Sequence, residues 1–528
     1  MSVRNRPLYP LSSFLLAVVA SMTIPVYAFA ADVNDGAKLF TEVDVPFKHH
    51  WDKSAHPFIG AAVIDVDGDG AFEVFVGGGV GADDALLRYQ DEQFTDVISG
   101  TGLSATSATH GAKAIDMDAD GDTDLIVART DAITLYSNEG GVFTAHPIAV
   151  DAPPESEPFD IAVGDINQDG AADIYVSYFV AFPAFKSATF NDPVHAKTNR
   201  LLLNNGDNTF RDITEKSGTE SQANTFFSVF VDLDDDGLQD LVVAQNTWAV
   251  EIYRNNGDLT FTSHPTDSGY GFWMGAGVGD YDNDGDQDLY FPNVGTSIPE
   301  FLTKGDIRED QRHTHDWLML RNDGDMTFTT VTDQSGLLGD GFAWGGVFED
   351  VDLDGRMDLF VAQNYIKWPP HVLFKLPGRA LRNTDAAEGP RFEDASSELG
   401  LENPYFAQSS LIVDFDGDGY QDYLWVNIDG PLRAFRRQAE GDQITVILQD
   451  NVENLGATMS LNWQGGSSYT RQVVSGEGFL TDQSPERSFA FPEGVEKVTL
   501  NVTWPDGTSR EQRVSAGERV VFTKSSSL

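Results

Sequence analysis

Seven short stretches of this chain place acids where together they could hold a hard cation. Each reads acid-x-acid-x-acid-Gly-x-x-acid, and they begin at Asp65, Asp116, Asp165, Asp232, Asp280, Asp350 and Asp414. In such a turn the side chains at positions 1, 3 and 5 point inward. The carbonyl of position 7 joins them, and an acid at position 9 completes an oxygen shell. Positions 3 and 5 are Asp67 and Asp69, Asp118 and Asp120, Asn167 and Asp169, Asp234 and Asp236, Asp282 and Asp284, Asp352 and Asp354, and Asp416 and Asp418. Position 9 is Glu73, Asp124, Asp173, Asp240, Asp288, Asp358 and Asp422. Position 6 is glycine in every copy, from Gly70 to Gly419, as a sharp bend demands. Oxygen ligands in this number select Ca²⁺ over Zn²⁺ and over the smaller Mg²⁺, so up to seven calcium ions are expected. A bare Asp-Gly turn competes with this reading for any one loop. Seven complete copies favour metal. EF-hands are excluded, because position 12 is Val, Phe or Trp (Val76, Phe291 and Trp425 among them) where a bidentate acid belongs.

The elements that must hold these loops repeat with them. The starts are 51, 49, 67, 48, 70 and 64 residues apart, periods that suit four short strands and their turns. Small and apolar residues precede each loop, as in Ile59 to Ile64, and apolar runs follow it, as in Leu241 to Val243. Both read as strands buried on two faces. A second phrase, Leu201 to Phe210 with relatives at Ile252 to Phe261 and Leu320 to Phe328, carries Asn-Gly or Asp-Gly between apolar runs and marks a hairpin of strands 3 and 4. The seventh repeat lacks its closing Phe, whereas Phe40-Thr41-Glu42-Val43 stands unused ahead of the first. The N-terminal segment is therefore expected to supply the outer strand of the last unit and close a ring. The fold class is all-β: a seven-bladed β-propeller over 31–440, followed by a small β-sandwich-like domain over 441–528.

The phrase Phe58-Ile59-Gly60-Ala61-Ala62-Val63-Ile64-Asp65-Val66-Asp67-Gly68-Asp69-Gly70 resembles the FG-GAP/VCBS repeats of integrin α-subunit propellers. The Arg-Asn-x-Gly-Asp-x-x-Phe phrases are similar to those of the cartilage acidic protein family and its bacterial relatives. Asn454-Leu455-Gly456-Ala457, Arg471, Gly476-Glu477-Gly478-Phe479-Leu480 and Trp504-Pro505-Asp506-Gly507 resemble the ASPIC/UnbV domain of that family. Its Gly-rich Phe-Gly-Leu-Gly stretch is replaced here by Phe489-Ala490-Phe491-Pro492. The resemblance implies that the calcium loops join strands 1 and 2 on a lower face, and that the 2–3 and 4–1 connections build an upper one.

Composition narrows the setting. Net charge is −49, with 83 acidic against 34 basic residues, which repels nucleic acid and anionic lipid. There is no cysteine, so core burial and metal must stabilise the chain. Arg4 and Arg6, an apolar run from Leu11 to Ile24 and Ala28-Phe29-Ala30 read as a signal peptide over 1–30, with an uncleaved membrane anchor as the alternative. No later stretch is long and apolar enough to span a bilayer. The expected location is secreted, periplasmic or at the surface of a bacterium.

Ligand candidates come from the unequal loops. Long insertions follow strand 2 in the third, fifth and sixth repeats and carry Lys186, His195, Arg312, His315, Tyr365 and Trp368. Residues just before strand 1, namely His56, His110, Trp273 and Trp344, are expected to ring the same mouth. Lid-like packing is the competing reading for these aromatics. The favoured function is a non-enzymatic recognition or adhesion scaffold whose partner is a glycan, a surface protein or a small molecule. The alternative is a calcium-dependent enzyme, a polysaccharide lyase or a secondary-metabolite cyclase, at the upper mouth. A lyase needs a cation and a base, and His56, His110, Lys186, Arg312 and His315 could supply them, but no spacing singles out catalytic residues.

Overall fold

The computed structural model describes residues 38–524, apart from residues 104, 222, 340, 364–365, 368–372, 375, 387–388, 440 and 464–468. The signal-peptide segment 1–30, Tyr365 and Trp368 lie outside the described residues.

Seven antiparallel sheets of four strands, two of them with one strand added, each carry one carboxylate loop between their first two strands. The third sheet is typical. Ser156–Gly164 pairs with Asp173–Val180, followed by Arg200–Asn204 and Phe210–Asp212. Its first two strands are almost wholly buried, which accounts for their unbroken apolar sequence. Glycines before the loops let inner strands of adjacent sheets touch. A Cβ on Gly60 would lie 2.7 Å from the carbonyl carbon of Gly111, and one on Gly111 would lie 2.6 Å from the Phe159 oxygen. Phe40–Val43 is the outermost strand of the last sheet, paired with Arg433–Arg437 in the register Phe40↔Arg437 to Val43↔Ala434. The ring is thus closed by the start of the chain, and the fold is a β-propeller.

Apolar clusters fill the spaces between neighbouring sheets. Tyr175, Leu201 and Ile213 of the third meet Phe230, Leu241 and Tyr253 of the fourth. Polar clamps cross the same seams. Asn255 Nδ2 donates to the Ile166 carbonyl at 2.8 Å, Asn322 to Leu233 at 2.9 Å and Asn383 to Tyr281 at 2.8 Å. Asn255 and Asn322 end strand 3 of their sheets and Asn383 lies within it, and each holds position 2 of the preceding sheet's carboxylate loop.

Beyond Arg437 two further sheets enclose a separate core of Ile444, Val446, Met459, Phe489, Leu500 and Trp504. One sheet centres on Gln443–Leu448, between Glu486–Ala490 and Arg519–Phe522. The other runs Tyr469–Gln472, Thr458–Asn462, Val498–Thr503, Ser509–Val514. This unit is seated against the carboxylate loops. Asp116 N donates to the Asp450 carbonyl at 2.7 Å, Thr445 Oγ1 to the Gly419 carbonyl at 3.1 Å, and Asp232 N to Gln472 Oε1 at 2.8 Å.

From it a segment around residues 474–484 enters the centre of the propeller. Thr481–Asp482 adds a parallel strand beside Ala61 and Ala62, and Gly478 and Ala276 exchange two backbone hydrogen bonds. Lys113, fully buried, donates to the Thr481 carbonyl at 2.8 Å and pairs with Asp160 at 3.1 Å. At the base Arg471 grips Glu349 with two bonds of 2.6 and 3.0 Å. Gly478 must be glycine here. Its φ is +100°, and a Cβ would lie 2.7 Å from Ser409 Oγ.

Candidate functional site

The carboxylate loops share one hydrogen-bond pattern. The position 1 carboxylate accepts from the backbone N–H of the position 6 glycine, at 3.0 Å for Asp65–Gly70, 2.8 Å for Asp232–Gly237 and 2.8 Å for Asp414–Gly419. The same contact recurs in the other four loops. That glycine is left-handed in each, with φ of +82° at Gly70 and +107° at Gly285. The position 5 carboxylate caps position 7, as in Asp120 to Asp122 at 2.9 Å.

The position 9 acid does more than close a shell. One oxygen accepts from the N–H of position 2, as in Ile166 to Asp173 at 3.2 Å and Val351 to Asp358 at 3.1 Å. The other accepts from strand 3, through Asn204 N to Asp173 at 2.8 Å and Asn383 N to Asp358 at 2.7 Å. In the first loop Arg88 holds Glu73 instead. Position 9 therefore ties the loop to the sheet as well as presenting oxygen. The spacing in the sequence could show only the second role.

Donor geometry fits a cation. Oxygens of Asp116, Asp118 and Asp124 lie within 4.8 Å of one another, as do those of Asp232, Asp234 and Asp240, and those of Asp280, Asp282 and Asp288. Asp350, Asp352 and Asp358, and Asp65, Asp67 and Asp69, group in the same way. Several of these oxygens are buried without a hydrogen-bond donor, namely Oδ1 of Asp116, Asp232, Asp234, Asp282 and Asp352. Burial pushes Asp173, Asp240, Asp280 and Asp350 up to about 8, and neighbouring carboxylates add to the rise. Such groups gain most from a bound divalent ion, which replaces the lost water and cancels the mutual repulsion. Strand-3 arginines supply part of that charge at the rim, as Arg382 does 2.7 Å from Asp352 and Arg88 does 2.8 Å from Asp67.

The other end of the sheets holds the remaining candidates. Strands 1 and 2 are antiparallel and joined by the carboxylate loop, so the start of strand 1 and the 2–3 connection share the opposite end. His56 is buried against Phe159, Phe179 and Phe182, with Nε2 3.0 Å from the Val180 carbonyl. Burial pushes it down to about 4. His110 is fully buried, its Nδ1 lies 3.1 Å from the Pro158 carbonyl, and burial pushes it down to about 3. The rings of His56 and His110 are 6.4 Å apart, and His110 Nε2 faces Glu157 at 3.9 Å. His195 is also buried. Its Nε2 accepts from the Lys186 backbone N–H at 3.0 Å and its Nδ1 meets the Asn224 amide at 2.9 Å. The Lys186 side chain itself is exposed, 3.9 Å from Asp192. Trp273 is buried with its indole donating to the Gly269 carbonyl at 3.3 Å. Arg312 is exposed and bound to Asp267, and His315 is half-buried 4.0 Å from Asp316.

Trp344 lines a cavity. The cavity measures about 300 Å³, with walls of Phe226, Phe272, Met274, Phe342 and Trp344. Val294, Ile298 and Leu302 of the fifth sheet's insertion line another side, and Phe185, 40 % exposed, comes from the third sheet's insertion. Phe479, from the segment that fills the propeller centre, backs this wall, stacked on Trp344 at 5.5 Å and edge-on to Phe226 at 5.7 Å. Phe226, Met274 and Phe342 were not among the sequence candidates, although Met274 and Phe342 stand just ahead of inner strands, the first next to Trp273 and the second close to Trp344.

Comparison with known proteins places this architecture. The FG-GAP-like repeat family model matches residues 65–127, 116–176 and 232–291, and the ASPIC and UnbV model matches residues 448–527. Human cartilage acidic protein 1 is 21 % identical over 494 residues, 87 % of this chain and 70 % of that protein. The mouse protein is 22 % identical over 501 residues, 87 % of this chain and 72 % of its own. Among solved structures, an Agrocybe aegerita lectin that recognises non-reducing terminal N-acetylglucosamine aligns at 16 % identity. It covers 71 % of this chain and 93 % of its own, with a TM-score of 0.41. The BP39L lectin from Burkholderia pseudomallei aligns at 10 % identity over 73 % of this chain and 97 % of its own, with a TM-score of 0.44. No helix among the described residues is long and apolar enough to cross a membrane. The chain thus carries FG-GAP-like repeats followed by a C-terminal ASPIC and UnbV match, and it is similar over most of its length to cartilage acidic protein 1.

Proposed function

We propose that this protein is an exported recognition scaffold, stiffened by calcium in its carboxylate loops, that takes its ligand at the opposite end of the propeller. The division of labour carries this reading. The carboxylate loops are packed against the C-terminal unit, whereas the cavity, lined in part by the insertions of the third and fifth sheets, lies at the other end. All-oxygen donors with buried, donor-free carboxylate oxygens favour Ca²⁺. In domain terms, 31–440 forms the propeller and 441–528 the unit that docks beneath it. The enzymatic alternative has less support, since His56 and His110 each spend a ring nitrogen on a backbone carbonyl inside the fold.

The test is a ligand screen of glycans, surface proteins and small molecules against the calcium-loaded protein. A ligand should be captured by the wild type and lost in a triple Phe185→Glu, Lys186→Glu, Trp344→Ala variant that still melts normally. Capture insensitive to these changes but abolished by Arg519→Glu beneath the propeller would refute the assignment of the face.

A further inference from the structure

Building on the proposed upper-face recognition, we infer that the cavity there takes a compact, uncharged aromatic molecule of about two rings rather than a sugar or an anion. Its volume of about 300 Å³ is roughly twice that of an apolar cavity of about 150 Å³ that holds one benzene. In a chain of 83 acids and 34 bases, no charged side chain among the described residues lines it. A charged ligand would lose its water there and find no counter-charge.

A sugar fares little better. It carries a hydroxyl on nearly every carbon, and each one buried without a partner costs free energy. Apart from the Trp344 indole, the lining offers three hydrogen-bonding side chains, Ser187, Asn246 and Thr303. The Thr303 hydroxyl is already committed to the Glu300 carbonyl at 3.1 Å. The walls instead suit ring against ring. Phe226, Phe272 and Trp344 offer faces and edges for offset or T-shaped contacts, and the Met274 thioether adapts to a ring edge. Phe479 braces Trp344 and Phe226 from behind, so the walls are set before a ligand arrives. Phe185 stands at the rim with 40 % of its surface in water, an exposure that a bound ring would relieve.

The probe is 1-naphthylamine, a neutral two-ring fluorophore at pH 7, titrated by fluorescence into the calcium-loaded full-length protein. The expected result is saturable one-to-one binding, displaced by naphthalene and unaffected by inorganic phosphate or oligoglucuronate. Ile298→Trp and Leu302→Trp, each filling the cavity from its half-buried side, should weaken binding at least tenfold. Phe301→Ser, an exposed neighbour outside the lining, should leave it unchanged. Melting curves in calcium show which variants are folded, and the two fillers stand in for each other if one is not. Absence of saturable binding, or binding indifferent to both fillers, overturns the proposal. A charged or glycan ligand lost in Lys186→Glu or Arg312→Glu but retained by the fillers overturns it while leaving upper-face recognition standing. A ligand lost only through changes beneath the propeller overturns both.

Discussion

His56 and Glu157 both neighbour His110 in the upper part of the fold and make opposite demands on pH. The folded-state value of His56 lies near 4, below the ordinary 6.5, because burial disfavours its charged form. Between those values the unfolded chain takes up a proton that the native one refuses, so stability present above pH 6.5 is lost as pH falls toward 4. His56→Phe should flatten that acid limb, by up to about 3 kcal/mol at pH 4, measured by urea unfolding across pH. Glu157 is pushed up to about 7 by burial. The native state holds its proton where the unfolded chain has lost it, so this contribution is full below 4.5 and fades as pH rises through 7. Glu157→Gln should therefore gain stability relative to wild type at pH 8 and lose that advantage at pH 4. A variant with a parallel profile would mean that Glu157 is ionised in the fold. At the other end, calcium added to stripped protein at pH 7 should release protons, because Asp173, Asp240, Asp280 and Asp350 are held partly protonated without it. A pH indicator in weak buffer reads the release, and Asp280→Asn should diminish it.

At the scale of strands and turns, the loops were legible because their chemistry is local. The spacing of acids and the glycine at position 6 lie within nine residues, and the left-handed φ at Gly70 and Gly285 is what that spacing required. The displaced outer strand Phe40–Val43 was legible too, by its match to Phe94-Thr95-Asp96-Val97. The clamp asparagines were not. Asn255 and Asn322 read as turn residues of a hairpin, and their partners Ile166 and Leu233 lie 89 residues away in sequence. Asn322→Ala strips the donor from a buried carbonyl and should cost about 1–3 kcal/mol in chemical denaturation. Asn256→Ala, whose exposed amide bonds to Thr260 and Thr262 in its own hairpin, should cost far less.

For the whole molecule, propeller and C-terminal unit form one mechanical system, since the unit rests on the carboxylate loops where we propose that calcium binds. Chelation should lower the melting temperature markedly, with near-millimolar calcium restoring it. It should also expose Arg471 and Arg487, now only 6 % and 9 % exposed, to trypsin. Resistance of both sites in excess chelator would uncouple docking from metal. The docking itself escaped sequence reasoning for a physical reason. The stretch from Gly476 to Asp482 carries no periodicity of its own, and its partners are distant in sequence, Lys113 standing 368 residues from Thr481.

The same inserted segment sets an order of events during synthesis. The first strand, Phe40–Val43, finds its neighbour only when Arg433–Arg437 has been made, a separation of 391 residues for Glu42 and Arg433. At about 5–20 residues per second the ribosome needs roughly 20–80 s for that interval. Residues 474–484 come later still, yet they lie among the inner strands, beside Ala61 and Ala62 and against Ala276. A nascent chain can therefore form single sheets early but has nothing to put at their centre. A stalled or truncated product would expose a ring of unfilled inner strands, the state a chaperone or protease is equipped to detect.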